Sequence, residues 1–115
     1  MKSLTKWKNM TSYAENLLHK IKYSISNIVP NSDIILFGSR VRNEAYEHSD
    51  WDFVILVDNP IDKTTILNLK DRLYEIELES NEIINSIVRT KQEWYSPRYL
   101  SLPFKIVVEK EGIVL

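Results

Sequence analysis

Apolar residues recur along the first quarter of the chain at steps of three and four. Trp7, Met10, Ala14, Leu17, Ile21, Ile25 and Ile28 share one side of a 3.6-residue repeat, the stripe of a helix that faces a core. Ser12 followed by Glu15 reads as a capping box, so the helix is placed from about Tyr13 to Ile28, with room to begin earlier. Pro30-Asn31-Ser32-Asp33 then turns the chain. The spacing changes here. Ile34–Phe37 and Phe53–Val57 are short apolar runs bounded by turn residues and read as strands, the second buried on both faces. Beyond Asp58-Asn59-Pro60, Asp62 is placed to cap a helix from about Lys63 to Glu79. Ile66, Leu69, Leu73 and Ile76 face the core in that reading, Leu67, Tyr74 and Leu78 widen the stripe, and Glu75, Glu77 and Glu79 form the wet face. Glu82–Val88 is the third expected strand. Pro103 opens a last helix that Gly112 ends, after an irregular stretch rich in aromatics.

This order implies an α/β (α+β) fold, a small mixed sheet with helices mainly on one face, in a single domain over residues 1–115. Composition adds bounds. Hydrophobic content of 43% and charged content of 27% suit an ordinary globular core. A formal net charge of -1 supplies no basic field, so direct nucleic-acid binding is not expected. The absence of cysteine excludes disulfides and thiolate metal sites and agrees with a reducing compartment. Lys2, Lys6 and Lys8 are followed by no apolar signal segment, and the longest apolar run is far short of a membrane span. A soluble cytoplasmic domain is the expectation.

The candidate chemistry lies where the two central strands meet their connection. Gly38, one of two glycines in the chain, and Ser39 follow the first strand; residues 40–49 connect to Asp50-Trp51-Asp52, which opens the second. On a strand, Asp50 and Asp52 point to one face, and Trp51 and Phe53 to the other. Paired carboxylates repel unless a cation lies between them, and an all-oxygen donor set suits Mg²⁺ together with substrate phosphates. A glycine turn lets the backbone approach a phosphate closely. Taken singly, Asp50 also reads as a strand-end residue, Asp52 as a solvent-facing one and Gly38-Ser39 as a plain turn. The combination is what points to phosphoryl or nucleotidyl transfer.

Gly38-Ser39-Arg40-Val41-Arg42 followed by Ser49-Asp50-Trp51-Asp52-Phe53 resembles the signature of the polymerase-beta-like nucleotidyltransferases. It is most similar to the minimal (MNT-type) nucleotidyltransferase domains of prokaryotes, over nearly the whole chain. The resemblance implies a Mg²⁺-dependent enzyme, with a two-metal site, that moves AMP from ATP onto an acceptor hydroxyl. Asp50 and Asp52 would hold the metals, Gly38 and Ser39 would cradle the β- and γ-phosphates, and Arg40 and Arg42 would contact phosphate oxygens. Such domains carry a third carboxylate near the start of the next strand. Glu82 takes that place as third ligand or general base, one methylene longer than the usual Asp, and Asn85 interrupts the apolar strand behind it. Other departures are Trp51, where a small aliphatic residue is common, and Asn43, where a second glycine is. A short helix is expected over 40–45, and His19 and His48 read as surface histidines.

By the same resemblance, the acceptor is a HEPN-type partner protein, the pair forming a toxin–antitoxin system and a hetero-oligomer. Two alternatives stand beside it. One is a catalytically weak or inactive binding module that neutralises a partner by occlusion. The other is transfer to a small molecule of the aminoglycoside kind, whose enzymes usually carry an extra helical domain. The transferase reading makes one geometric demand: Asp50, Asp52 and Glu82 must converge across from the amides that follow Phe37.

Overall fold

The structure, a computed structural model, describes residues 1–8, 10–42 and 49–115. The elements run β1 (Lys2–Ser3), a 3₁₀ turn (Leu4–Lys6), α1 (Ser12–Ile28), β2 (Asp33–Phe37), β3 (Trp51–Val57), α2 (Lys63–Ser80), β4 (Ile84–Thr90), α3 (Lys91–Trp94), α4 (Pro97–Leu100), α5 (Pro103–Glu111) and β5 (Ile113–Val114). The sheet order is β1-β5-β2-β3-β4. β2 runs antiparallel to both β3 and β5, whereas β4 is parallel to β3 and β1 parallel to β5. A parallel pair needs a crossover, and α2 provides it between β3 and β4. The α/β fold with a mixed sheet is the one the periodicity implies.

Strand alternation sorts the core into two layers. Trp51, Phe53, Ile55 and Val57 of β3 join Ile34 and Leu36 of β2 beneath Leu17, Leu18, Ile21 and Ile25 of α1 and Leu69, Leu73 and Ile76 of α2. The residues between them, Ile35, Val54 and Leu56, face the other way and meet Trp94 and Val108. The two long helices therefore cover one face. The second face is not bare as far as Leu56, because α5 and Trp94 seal it there. A cleft borders the end that carries Asp50 and Asp52.

Local boundaries differ from expectation for identifiable reasons. Thr11 is the N-cap of α1, its hydroxyl accepting from the Ala14 N–H at 3.0 Å, so the helix begins at Ser12 and Trp7 enters the core from the preceding turn. Leu67, Tyr74 and Leu78 are exposed, because α2 buries only the narrow stripe Leu69, Leu73 and Ile76. β4 starts at Ile84 because Asn81 closes α2 in the left-handed conformation (φ 58°), which leaves Glu82 and Ile83 ahead of the strand. Of the expected helix over 40–45, residues 40–42 form a turn, and residues 43–45, with Asn43 and also His48, lie outside the described residues. No helix among the described residues is long and apolar enough to cross a membrane.

Candidate active site

At the end of β2, Phe37 pairs with Asp52 of β3, and the next residue, Gly38, turns the chain with φ +88°. The Val41 N–H closes this turn on the Gly38 carbonyl at 3.1 Å. A Cβ at position 38 would lie 2.4 Å from Asp52 Oδ2. Glycine is required on two grounds: the left-handed backbone and the carboxylate pressed against it.

In the parallel ladder, Asp52 pairs with Asn85 of β4. The Asn85 amide donates to Asp50 Oδ2 at 2.8 Å and to Asp52 Oδ1 at 3.0 Å. An amide nitrogen carries two hydrogens, so it can bridge the pair. It brings no charge of its own to the pair. Asp50 and Asp52 thus converge as the strand parity implies. They border a cleft of about 730 Å³ whose polar side is formed by Gly38, Ser39, Arg42 and Ser49. Phe37 and, from α5, Pro103, Phe104 and Val107 form its apolar wall. The Phe37 and Phe104 rings meet edge to face at 5.3 Å, which fixes that wall to the strand end.

Glu82 does not join the aspartates. Its carboxylate accepts from the Tyr13 hydroxyl at 2.7 Å, Trp51 Nε1 at 3.1 Å and Arg40 Nη2 at 3.4 Å. Trp51 faces the α1–α2 layer, opposite Asp50 and Asp52, and Glu82 sits with it because the chain has not yet entered β4. The Tyr13 phenol is held above its usual pKa, mainly because its proton is donated to Glu82, with burial and the nearby negative charge adding to the effect. Arg40 belongs to the same group. Its guanidinium stacks 4.4 Å from the Trp51 ring centre and donates to the Ser49 carbonyl at 2.7 and 3.2 Å.

The expected convergence of three carboxylates is therefore corrected. The cleft gathers Gly38, Ser39, Arg42, Asp50 and Asp52, whereas Glu82 and Arg40 are bound into the far side of β3. Among the described residues, no group of three His, Cys, Asp or Glu side chains is arranged to hold a metal. The two aspartates still fit Mg²⁺, which commonly takes one or two protein carboxylates and completes its shell with water and phosphate.

Two residues, one bonded to the aspartates and one to the Gly38 turn, were given no site role by the sequence. Asn85 gave a signal, being the one amide in an apolar strand, but its partner depended on the β3–β4 register. Glu111 gave a fainter one, a carboxylate in the last turn of a helix, where the helix dipole disfavours negative charge. It lines the cleft, accepting from the Gly38 N–H at 3.3 Å and from Arg42 Nη1 at 2.9 Å.

Comparison with known proteins identifies relatives of this chain. The family described as Polymerase beta, Nucleotidyltransferase, matches residues 19–94. The chain is also 32% identical over 74 residues to the probable protein adenylyltransferase MntA of Haemophilus influenzae (strain ATCC 51907 / DSM 11121 / KW20 / Rd). That alignment covers 60% of this chain and 65% of the relative, slightly less than two thirds of the latter's length. The family match runs through the strands that frame the cleft and the turn between them, and on that ground the chain belongs to the polymerase beta nucleotidyltransferase family.

Proposed function

We propose that this domain is a Mg²⁺-dependent adenylyltransferase that moves AMP from ATP to a hydroxyl on a partner protein. The observation that carries this reading is the pair Asp50–Asp52, which shares one neutral donor directly beside the Gly38 turn. When bound, the cation would offset the carboxylate charge and draw the triphosphate against it. Gly38 and Ser39 would leave space for phosphate oxygens, Arg42 would pair with them, and the wall of Phe104 and Val107 would exclude water from one side. The acceptor oxygen bonds to the α-phosphorus as the bond to the bridging α–β oxygen breaks. Pyrophosphate leaves with the electron pair, and the hydroxyl proton passes to solvent. A protein acceptor is supported by the similarity to a probable protein adenylyltransferase, and a HEPN-type partner in the cytoplasm by the motif resemblance. Incubation with ATP labelled at the α-phosphate, Mg²⁺ and a co-encoded neighbour protein tests this: label should reach the neighbour with the wild type and fall at least about 100-fold with Asp52→Ala. Equal transfer by both proteins would discard it.

A second reading is favoured by Asn85, which stands beside the aspartates where a third carboxylate was expected. The domain would then bind its partner without turnover. In that case the double variant Asp50→Ala/Asp52→Ala keeps its protective effect against the partner, and loss of protection argues for transfer.

A further inference from the structure

The Gly38 N–H and the Arg42 guanidinium converge on one acceptor, and that acceptor is a carboxylate of the chain itself. Glu111 Oε1 lies 3.3 Å from the Gly38 nitrogen and 2.9 Å from Arg42 Nη1, with its side chain 18% exposed. Backbone N–H plus guanidinium is the donor set that holds a phosphate oxygen. Glu111 occupies it from an unfavourable position, the C-terminal turn of α5, where the helix dipole adds no support.

The backbone that follows Glu111 is held in place. Gly112 packs so closely that a Cβ there would meet Ile35 Cγ2 and the Val108 carbonyl oxygen, each at 2.6 Å. The next residues, Ile113–Val114, pair with β2. The carboxylate can therefore leave the cradle only by side-chain rotation, which a three-torsion Glu side chain permits.

We propose that Glu111 is a built-in competitor for the anion that Gly38 and Arg42 are placed to hold. It rests on the reading of the cleft as a triphosphate site and specifies how that site selects. An anion of one or two charges must displace a carboxylate already in place and then lie beside Asp50 and Asp52, so inorganic phosphate and simple carboxylates are held out. A triphosphate accompanied by a divalent cation brings enough charge to displace Glu111 and enough counter-charge to satisfy the aspartates. Glu111 is then a specificity-determining residue, favouring cation-complexed polyphosphate over smaller anions.

Calorimetric titration of inorganic tripolyphosphate, without divalent cation, into the wild type and into Glu111→Gln tests this directly. Removing the charge while keeping the side-chain shape should tighten binding about tenfold, the scale of one like charge nearby. Glu111→Ser should show the same gain, and adding Arg42→Ala to Glu111→Gln should abolish it. Unchanged or weaker binding in both neutral variants, or no binding by any of the proteins, would overturn the proposal. Titration of ATP with Mg²⁺ into the wild type and Asp52→Ala separates the two readings. Affinity indifferent to Asp52 counts against the transferase assignment alone, since the cation-free measurement reports only on the cradle.

Discussion

β3 carries a polar cluster on each side, and the two are built on opposite principles. On the α1–α2 side, one carboxylate, Glu82, receives three donors, from Tyr13, Trp51 and Arg40. On the cleft side, two carboxylates share one neutral amide. A largely buried anion surrounded by donors is satisfied, and it ties α1, β3 and the start of β4 together. Two anions that share, among the described residues, one neutral donor are the arrangement a bound cation would complete under the proposed function. The far side also positions the near one, because Arg40, stacked on Trp51, grips the carbonyl of Ser49, the residue just before Asp50.

The sharpest way to break the open side is Gly38→Ala. The φ of +88° and the approach to Asp52 Oδ2 should together cost about 2–4 kcal/mol. A urea melt should report that loss, and ATP binding with Mg²⁺ should fail in the fraction that remains folded. Glu82→Ala acts on the closed side. It strands the Trp51 and Arg40 donors and should cost about 2 kcal/mol of stability, read from the same melt. Cation affinity per folded molecule should survive within a few-fold, whereas a metal-ligating Glu82 would require its loss.

Asn85→Asp tests the contrast by sign. Placing a third carboxylate beside Asp50 and Asp52 should destabilise the metal-free domain by about 1 kcal/mol, a few degrees in Tm, and make Mg²⁺ a stronger stabiliser than it is for the wild type. Equal Mg²⁺-induced shifts in the two proteins would count against a cation at the pair.

The smallest effect concerns exposed carboxylates that serve only as helix caps. Asp62 is held below its usual 3.8 by the backbone N–H of Thr65 and then by that residue's side chain, and Glu93 below its usual 4.5 by the backbone and then the side chain of Thr90. Because both pKa values are depressed in the folded state, their stabilisation is present above the ordinary values and lost as pH falls through the depressed ones. Asp62→Asn keeps a good cap without titrating, so its denaturation midpoint should depend less steeply on pH in the acid range.

Parity along single segments made the elements of the fold and half of the site legible in the sequence. The spacing of Leu17, Ile21 and Ile25 forecast α1, the run from Phe53 to Val57 forecast a doubly buried strand, and the positions of Asp50 and Asp52 forecast a shared face. Gly38 was legible only in combination with Asp50 and Asp52, since a glycine after a strand taken singly reads as a plain turn. Those features follow from local geometry, in which a residue's direction is set by its neighbours in the chain. Glu82 and Asn85 were not separable in that way. Which of them meets the aspartates depends on how the chain leaves α2 at Asn81 and on the pairing of Asp52 with Asn85, and register between strands distant in sequence is set by packing across the sheet. Glu111 depends on tertiary structure still more, since β5 must pair with β2 before the last turn of α5 can reach the Gly38 turn. Residue type and spacing determined which groups could carry charge chemistry; the assembled sheet decided which of those charges are neutralised internally and which are left facing the cleft.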